Sequence, residues 1–568
     1  MKVTDYIVEF LIKQGVTDIF GYPGGVICHL IDSARKYTDK ISIHSNYNEQ
    51  ASSFSACGFA QESHNVGVAF STSGPGATNL VTGIANAFYD STPTVFFTGQ
   101  VDTYGLKYDL PIRQRGFQET DIVSIVKSIT KYAVRVDDPL KIKYELEKSF
   151  YLAKSGNPGP VLLDLPADVQ RAEIEENKLE GYLNIESNDC NDCDIKILLE
   201  MLKISNRPCL LIGNGVKQSG ATRAIRELIR KLRIPSVFSM PAFDVLPFND
   251  KYNFGFIGAN GHRYANFVVG KSDLIVSIGS RMDLKQVGFD RAKFAPQANI
   301  VRIDIDRGTL SHKVHDNEMI ICADLTEFVP KMISSLTECD LEKNKWVKVC
   351  SKIRTLLRGY DSEKYHELIG SFSEWLPDNT ILTLDVGQSQ VWCCQYFKIK
   401  NNQKVHMSAG LGSMGYSLPA AIGAYFAGRK IVFSFNGDGG IQMNLQELQF
   451  LCRDKIPIHV VIINNHSLGM IRSFQEANFE KNYTLTVECR GYSVPDFSKL
   501  AHCYGLQYFM IEKKDDLKSI VIDFNKPSII EIKIPNITNL NPNFGRSGFI
   551  QDQRPNLSRE LYDKLMQL

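Results

Sequence analysis

Two strand-like runs in the second half of the chain end in residues that could bind a metal ion. Lys430 to Phe435 reads as a buried strand and leads into Asn436 to Gly440, whereas Ile458 to Ile463 leads into Asn464-Asn465. A helical pattern from Met443 to Arg453 joins the two runs. Strands connected by a helical crossover are commonly neighbours. Asp438 and Asn465 should therefore meet at the carboxyl ends of a sheet, where α/β folds bind ligands.

A carboxylate and an amide oxygen brought together in this way form a site for a hard cation. Magnesium takes one or two protein oxygens and fills its octahedron with water and phosphate oxygens. Gly437, Gly439 and Gly440 would let a diphosphate approach the backbone, because glycine has no Cβ. Alone, Gly-Asp-Gly is more often a turn whose Asp caps a helix. The asparagine pair at the next strand end favours the metal interpretation.

These residues resemble the thiamine-diphosphate motif, and their flanks resemble the acetolactate synthase group of that superfamily. The matching flanks are Asn444 to Leu448, Asn465 to Met470 and Gly410 to Ala421. The resemblance implies that Asp438, Asn465 and the Ser467 carbonyl hold Mg²⁺. It also implies that Met414 lies beneath thiamine diphosphate and Gln388 lies beside its diphosphate. The other residues implied to bind this cofactor are Pro23, Gly24, Asn79, Ser389, Gly412, Gly437, Gly439, Gly440, Leu468, Gly469 and Met470.

A carboxylate in the first part of the chain is a candidate for helping to remove a proton from thiamine diphosphate. The C2 proton of thiamine diphosphate can be removed by its own aminopyrimidine if a carboxylate bonds the opposite ring nitrogen. Asn46 to Ala51 leaves a strand, enters a helix of small residues and resembles the glutamate motif of the family. Alone, Glu49 would more often be a residue that the helix dipole favours in a first turn. Together with the metal motif, the stretch predicts that Glu49 is catalytic.

Three loops of the same region complete the resemblance. Ser71 to Asn79 is a Gly-rich turn opening a helix whose amides can face polar ligand atoms. Gly116 to Ile122 matches the active-site loop, so Phe117 and Gln118 are predicted to line the substrate pocket, and Tyr22 to Gly25 opens the first helix as in the family. In that family the glutamate domain of one subunit faces the metal domain of another. The resemblance therefore implies a homodimer or homotetramer with the active site between subunits.

The middle of the chain carries a second set of residues at strand ends. They fall where acetolactate synthases bind FAD, and the predicted FAD residues are Gly258, Ser280, Arg281, Asp283, Asp304 and Asp324. Asp304 could accept a bond from a ribose hydroxyl, and Arg281 could meet the phosphates or the flavin. The alternative is an α/β domain without a ligand, which many thiamine-diphosphate enzymes carry.

Four positions depart from the family pattern. Asn157 replaces the arginine of the Arg-Pro-Gly-Pro stretch that helps hold FAD, and Asn260 stands where histidine is common. Ala167 replaces a lysine of the substrate channel, and Phe474 replaces the tryptophan that shapes the acceptor pocket. The loss of an ammonium and an indole predicts a wider, less cationic pocket. These changes bear on the acceptor and leave the donor chemistry intact.

The elements that must position these residues fall into three α/β units. Four strands are recognisable in each unit and alternate with helical patterns, which is typical of doubly wound parallel sheets. An acidic stretch from Ala172 to Asp194 separates the first two units, and its Cys190 to Cys193 CxxC is interpreted as linker because no second ligand pair lies nearby. The predicted regions are a pyrimidine-binding domain (1–170), an FAD-type middle domain (195–345), a diphosphate-binding domain (372–535) and a C-terminal tail (536–568).

Composition excludes several other classes of protein. At 568 residues the chain is too long for one hydrophobic core. Its 64 Lys and Arg nearly cancel 63 Asp and Glu, which gives no sign of a nucleic-acid partner. No apolar run approaches the roughly 18 residues of a membrane span, and no signal-peptide core is visible. Thirteen scattered cysteines indicate reduced thiols. We therefore expect a cytoplasmic enzyme with no membrane partner.

The predicted reaction has a 2-keto acid as its substrate. Pyruvate would lose carbon dioxide, and the acetyl carbanion would pass to a second pyruvate to give acetolactate. One alternative is transfer to a bulkier ketone, such as a nucleotide-linked keto-sugar, which Ala167, Phe474 and the tail from Ile550 to Pro555 favour. A regulatory cofactor-binding protein would not need Glu49. A simple decarboxylase usually carries paired histidines where this chain has Asn48-Glu49.

Overall fold

Three parallel sheets of six strands each organise the chain. The computed structural model describes residues 1–183, 192–336, 343–536, 538–543 and 548–568. The predicted α/β class with three doubly wound domains is confirmed, whereas the predicted domain limits stay a prediction. Each sheet has two strands more than the sequence patterns indicated, and five of the six additional strands lie at sheet edges. Edge strands are half-covered, so their residue pattern is less apolar than that of central strands.

The first domain has the strand order β2-β1-β3-β4-β6-β5. Its strands are β1 (Asp18–Gly21), β2 (Ser42–Ser45), β3 (Gly67–Ser71), β4 (Thr94–Gln100), β5 (Tyr132–Arg135) and β6 (Pro160–Pro166). Its helices are α1 (Val3–Lys13), α2 (Cys28–Ala34), α3 (Glu49–Ser63), α4 (Pro75–Asn79), α5 (Val81–Tyr89), α6 (Ile122–Val126), α7 (Ile142–Lys154) and α8 (Ala167–Arg171).

The middle domain has the order β9-β8-β7-β10-β11-β12, which is the 3-2-1-4-5-6 order of dinucleotide-binding sheets. Such sheets bind ligands where the order reverses, here between β7 and β10. The strands are β7 (Pro208–Ile212), β8 (Ser236–Phe238), β9 (Asn253–Phe256), β10 (Leu274–Ile278), β11 (Asn299–Asp304) and β12 (Glu318–Cys322). The helices are α9 (Asp192–Ile204), α10 (Gly215–Gln218), α11 (Thr222–Leu232), α12 (Arg263–Lys271), α13 (Leu284–Val287), α14 (Arg307–Ser311), α15 (Leu325–Ser334) and α16 (Asn344–Leu357).

The third domain repeats the strand order of the first, as β14-β13-β15-β16-β18-β17. Its strands are β13 (Thr380–Leu384), β14 (Lys404–Met407), β15 (Ile431–Gly437), β16 (Ile458–Asn464), β17 (Gln507–Ile511) and β18 (Ser528–Lys533). Its helices are α17 (Lys364–Trp375), α18 (Gln388–Tyr396), α19 (Ser417–Gly428), α20 (Glu447–Arg453), α21 (Gly469–Asn478) and α22 (Phe497–Cys503). The predicted helix Met443–Arg453 is divided, because a 3₁₀ turn (Ile441–Asn444) precedes α20.

Small residues hold the first and third domains together. A Cβ added at Gly58 of α3 would lie 2.1 Å from the Ala420 carbonyl oxygen of α19, and one at Gly423 would lie 1.8 Å from the Ser55 oxygen. The two helix backbones therefore touch. Next to this contact, the buried Glu447 carboxylate accepts bonds from Asn46 Nδ2 and the Tyr47 amide, both at 2.9 Å. The turn that precedes Glu49 is thus fixed to the third domain.

After β18 the chain returns across α18 to the middle domain. Gln395 Nε2 donates to the Asn541 oxygen at 3.3 Å, and Gln553 Nε2 donates to the Gly261 oxygen at 3.0 Å. A last helix, α23 (Arg559–Gln567), buries Leu565 beside Phe267 of α12. None of the helices in the described ranges has the length and apolar character to cross a membrane. Cys190 and Asn191 of the CxxC stretch lie outside the described residues.

Candidate active site

Asp438 lies at the carboxyl end of β15, next to the end of β16. Gly437 pairs with Ile463 in the register of these strands, which confirms that the two are neighbours. The amides of Asn465 and Ser467 donate to Asp438 Oδ2 at 3.1 and 3.3 Å, and the Tyr492 hydroxyl donates to Oδ1 at 2.7 Å. Burial raises the pKa of this carboxyl, and the bond from Tyr492 opposes that shift. The loop after β16 is therefore folded around the Asp438 carboxylate.

The Asn465 side chain belongs to a buried network with the start of α18. Asn465 Nδ2 donates to Gln388 Oε1 and to Thr538 Oγ1, both at 3.1 Å. Its Oδ1 accepts no bond from any residue that the structure describes. Ser467 turns its amide toward Asp438, and its carbonyl accepts a bond from the Gly469 amide at 2.8 Å. One carboxylate, one amide oxygen and one carbonyl are thus gathered at neighbouring strand ends.

Gly439 and Gly440 in the turn after β15 leave no room for side chains. An added Cβ would lie 1.9 Å from Asp385 Oδ2 at Gly440 and 2.5 Å from Leu468 Cδ2 at Gly439. One at Gly437 would have only Ser389 Oγ nearby, at 3.5 Å. That buried hydroxyl has no hydrogen-bond partner among the described residues. An unpaired hydroxyl at a helix start, next to a bare turn, fits an anionic ligand such as a diphosphate.

Asp385, at the end of β13, positions the loop that carries Met414. Its carboxylate is fully buried and accepts bonds from the amides of Gly415 and Tyr416, both at 3.0 Å. Burial raises the pKa of Asp385 to about 7. Gly412 in the same loop has a φ of +72°, and the Met414 methyl lies 3.7 Å from where a Gly439 Cβ would be. The predicted Met414 is therefore adjacent to the Gly437–Gly440 turn, and the predicted Gly412 lies two residues before Met414 in the same loop.

The first-domain candidates form a separate group around Glu49. Glu49 begins α3 after the cap Asn48, and its buried Oε2 accepts a bond from Asn79 Nδ2 at 2.9 Å. A Cβ at Gly76 would lie 3.1 Å from Oε1, so the Gly-rich turn passes close to the free oxygen. Gly24 packs against Thr72 of that turn, 2.4 Å from an added Cβ, and Pro23 is exposed beside it. The structure thus brings Pro23, Gly24, Asn79 and Glu49 to one place.

The predicted substrate residues lie on exposed surface. Gln118 has a φ of +63° and packs against Gly74 of the Gly-rich turn, whereas Phe117 is 86% exposed. On the third domain, Phe474 of α21 is 51% exposed, contacts Phe479 at 5.8 Å between ring centroids, and follows the exposed Met470. No hydrogen bond in the described part of the chain joins Glu49 to the third domain. The group around Glu49 and the group around Asp438 are thus each bordered by exposed apolar side chains.

A cleft of about 950 Å³ lies over the strand-order reversal of the middle domain and continues to Met470 and Gly387 of the third domain. It is lined by Ser280, Arg281, Asp283, Asp304 and Asp324. Gly258, with a φ of +112°, lies between two lining residues. An added Cβ at Gly213 would lie 2.0 Å from the Gly279 oxygen, so the two loops touch at the reversal. Ser239 contributes a buried hydroxyl without a partner in the described ranges.

Both unusual asparagines also line this cleft. Asn157 donates to Asp306 Oδ2 at 3.2 Å, and Asn260 donates to the Pro542 oxygen at 3.3 Å. Four cations line the cleft as well, Lys131, Lys154, Arg281 and Lys285. Burial lowers the pKa of Lys131 to about 8, and its ammonium holds the Ser155 carbonyl. Ala167 is buried at the start of α8. The cleft thus offers four cationic side chains beside five carboxylates, although it lacks an arginine at position 157.

Sequence reasoning did not single out Tyr492, Asp385 or Thr538. Tyr492 lies 54 residues from its partner Asp438, and Thr538 lies 73 residues from Asn465. No local pattern surrounds these residues. The only available signal was the aspartate that directly follows the β13 strand run.

Three family models match the chain. They are the N-terminal TPP binding domain of thiamine pyrophosphate enzymes over residues 1–125, the central domain over 195–332 and the C-terminal TPP binding domain over 385–532. The chain is 36% identical over 543 residues to the acetolactate synthase large subunit of Lactococcus lactis, covering 93% of this chain and 92% of that protein. It is 31% identical over 557 residues to the Escherichia coli isozyme 2 large subunit, covering 95% and 97%. A probable acetolactate synthase large subunit of Methanocaldococcus jannaschii is 34% identical over 559 residues, covering 94% and 92%.

Proposed function

The chain belongs to the acetolactate synthase large-subunit family of thiamine pyrophosphate enzymes, and from this we propose that it makes acetolactate from two pyruvates. One pyruvate is decarboxylated and its acetyl unit is transferred to the second. The observation that carries the proposal is the pair of half-sites, Asp438 with Asn465 and Glu49 with Asn79. A bulkier ketone as acceptor is not favoured, because the relatives described above are all named acetolactate synthases.

Magnesium and the diphosphate would bind at the third-domain half-site. Asp438, Asn465 and the Ser467 carbonyl supply three oxygens of the kind that Mg²⁺ prefers, and phosphate and water would fill the remaining positions. Ser389 Oγ, at the start of α18, faces the turn from the other side. Gln388, Gly437, Gly439, Gly440 and Gly469 would complete the cradle, because a Cβ at any of the last three would meet a neighbouring atom within 2.5 Å.

Glu49 would hold the proton that activates the cofactor. Thiamine diphosphate, when bound, supplies a carbon acid whose carbanion adds to a keto group and takes up the electrons released with carbon dioxide. Glu49 has one oxygen fixed by Asn79, which leaves Oε1 to share a proton with the aminopyrimidine. Met414 and Leu468 would support the ring system from the third domain. Bound in this way, the carboxylate stays in place while its proton moves.

The active site would require a second copy of the chain. In one chain Glu49 makes no hydrogen bond to the third-domain half-site, at least within the described ranges. Phe117 and Phe474 leave large apolar surfaces exposed at the two half-sites. Exposed apolar patches of this kind mark interfaces. We infer a homodimer, or a tetramer built from it, in which each site combines Glu49, Phe117 and Gln118 of one subunit with Asp438, Met414 and Phe474 of the other.

The middle-domain cleft would hold FAD in a structural role. A cleft of about 950 Å³ with the strand order of dinucleotide-binding domains has the size and position for such a ligand. Asp304 and Asp324 would accept bonds from ribose hydroxyls. Lys154 has no ion-pair partner in the described part of the chain and would face the diphosphate in place of the arginine missing at position 157. Because the cleft reaches Met470, the far end of the ligand would approach the active site.

A product assay tests the proposed function. Purified protein with thiamine diphosphate and Mg²⁺ is given pyruvate alone, and acetolactate, acetaldehyde and acetoin are measured. Acetolactate should be the main product, and Asp438→Ala, which removes a magnesium ligand, should form none. Acetaldehyde without acetolactate would overturn carboligation. The absence of any turnover, together with no binding of the cofactor, would overturn the whole assignment.

A further inference from the structure

We propose that Thr538, in the segment after β18, is a positioning residue that turns the Asn465 side-chain oxygen toward magnesium. The inference rests on the proposed magnesium site. An asparagine amide can present either its oxygen or its NH₂ group, and only the oxygen binds a cation. Something must therefore fix the orientation of Asn465. Thr538 is almost completely buried and lies within hydrogen-bond distance of Asn465 and its neighbour Gln388.

The orientation of the Gln388 and Asn465 amides can be traced from Arg472, whose hydrogen-bonding role is unambiguous. Arg472 is buried and can only donate, and it donates to the Thr538 carbonyl oxygen, which can only accept. The same carbonyl accepts a bond from Gln388 Nε2 at 3.3 Å. Gln388 Oε1 must therefore point the other way, toward Asn465. It accepts bonds there from Asn465 Nδ2 at 3.1 Å and from the Thr538 hydroxyl at 2.9 Å.

The Thr538 hydroxyl completes this arrangement. It accepts the second Asn465 Nδ2 hydrogen at 3.1 Å while donating its own hydrogen to Gln388 Oε1. Both hydrogens of the Asn465 amide are then occupied on the side of α18 and the tail. Its Oδ1 is left without a partner among the described residues, and the backbone amide of the same residue bonds Asp438. A residue outside the metal motif thus decides which end of Asn465 faces the cation.

The test compares Thr538→Val, which keeps the shape but loses the hydroxyl, with Thr538→Ser, which restores it. Two hydrogen bonds of about 0.5–1.5 kcal/mol each are lost in the valine variant, so the Mg²⁺ concentration for half-saturation should rise about 5- to 150-fold. Binding is followed at saturating thiamine diphosphate by tryptophan fluorescence, and one of the three tryptophans of the chain, Trp392, lies on α18 with Gln388. Turnover at saturating Mg²⁺ should stay within about 3-fold of the unmodified enzyme, and the serine variant should bind Mg²⁺ like it.

Thr355→Val is the matched control, since Thr355 lies on the exposed face of α16 and bonds only the Ser351 oxygen there. An equal Mg²⁺ concentration for half-saturation in Thr538→Val and in the control would overturn the inference. So would a loss that serine does not rescue, because it would reflect packing alone. If the valine variant fails to fold, Thr538→Ala, which introduces no new bulk, replaces it under the same criteria. The experiment also separates failure of this inference from failure of the proposed function. If the proposed function is wrong, the unmodified protein itself will not bind Mg²⁺ with thiamine diphosphate.

Discussion

A methyl group added at Gly440 would meet a carboxylate at once. The Cβ of Gly440→Ala would lie 1.9 Å from Asp385 Oδ2, whereas ordinary contacts begin at 3.4 Å. Gly440 has a φ of −64°, which alanine adopts freely, so the backbone itself is not strained. The whole effect of the substitution must therefore come from the contact with Asp385.

The size of the destabilisation in Gly440→Ala follows from the hydrogen bonds that Asp385 accepts. To relieve the contact, either the carboxylate or the turn must move by about 1.5 Å, the difference between the two distances above. If the carboxylate moves, it weakens its bonds to the Gly415 and Tyr416 amides, and bonds to a charged group contribute about 1.5–3 kcal/mol each. If the turn moves instead, overpacking costs about 1–3 kcal/mol and Asp438 shifts away from Asn465. We expect a loss of about 3 kcal/mol in the free energy of unfolding and at least ~10-fold weaker cofactor binding.

Two measurements check this expectation. Urea unfolding gives the loss of stability, and calorimetric titration with thiamine diphosphate at saturating Mg²⁺ gives the affinity. Gly105→Ala is the control, because its Cβ would make only ordinary contacts with Val101, at 3.6 and 3.7 Å. If Gly440→Ala unfolds at the same urea concentration as the control and binds the cofactor within 2-fold of it, the assigned role of the Asp385 contact is refuted.

Four further predictions follow from the site and the cleft. Glu49→Gln should keep its bond to Asn79 and its cofactor affinity but lose at least ~10²-fold in turnover; near-normal turnover would exclude Glu49 as the proton-sharing group. Phe474→Trp should lower the rate of transfer to larger 2-keto acids about 5- to 150-fold more than the rate of transfer to pyruvate. Carbon dioxide release in a single turnover should stay unchanged. Equal losses with both acceptors would show that Phe474 does not face the acceptor. The purified protein should absorb near ~450 nm and release FAD when denatured, and a preparation that stays colourless after incubation with FAD would contradict the cleft assignment. Burial raises the pKa of Glu447 from 4.5 to about 7, which favours its protonated form in the folded protein. As the pH rises from 4.5 to about 7, the free energy of unfolding of the unmodified protein should therefore fall relative to that of Glu447→Gln. A difference between the two proteins that does not vary with pH would count against the raised pKa of Glu447.

The strand-end motifs were predictable from sequence for a simple geometric reason. Parallel neighbouring strands bring their carboxyl ends to one edge, so Asp438 and Asn465 could be paired from the helical crossover between them. Glu49 carries no such geometric signal, and it was identified because Asn46 to Ala51 resembles the glutamate motif of the family and the metal motif is also present. The predicted FAD residues converge on one cleft because they lie at or just after the carboxyl ends of β9, β10, β11 and β12, all at the same edge of one parallel sheet.

What could not be predicted depends on long-range contacts. Asp385 holds the amides of Gly415 and Tyr416, and Tyr492 bonds Asp438, through pairs that no periodicity links. The edge strand β5 is only partly buried over its whole length, so its residues carry no clear apolar signal. Met443 and Asn444, which end the 3₁₀ turn Ile441–Asn444, were predicted as part of an α-helix that continues to Arg453.

The return of the tail over α18 also bears on how the protein is made. A ribosome releases the three sheets in order, each with its own strands complete, before it releases Thr538 and the segment that contacts Gly261. Domains generally fold as units during synthesis. The residues around Gln388 and Asn465 are therefore assembled while their last partner is still being translated. Cofactor binding therefore follows translation of the segment after β18. A nascent chain interrupted after β18 would contain three folded domains but an incomplete site.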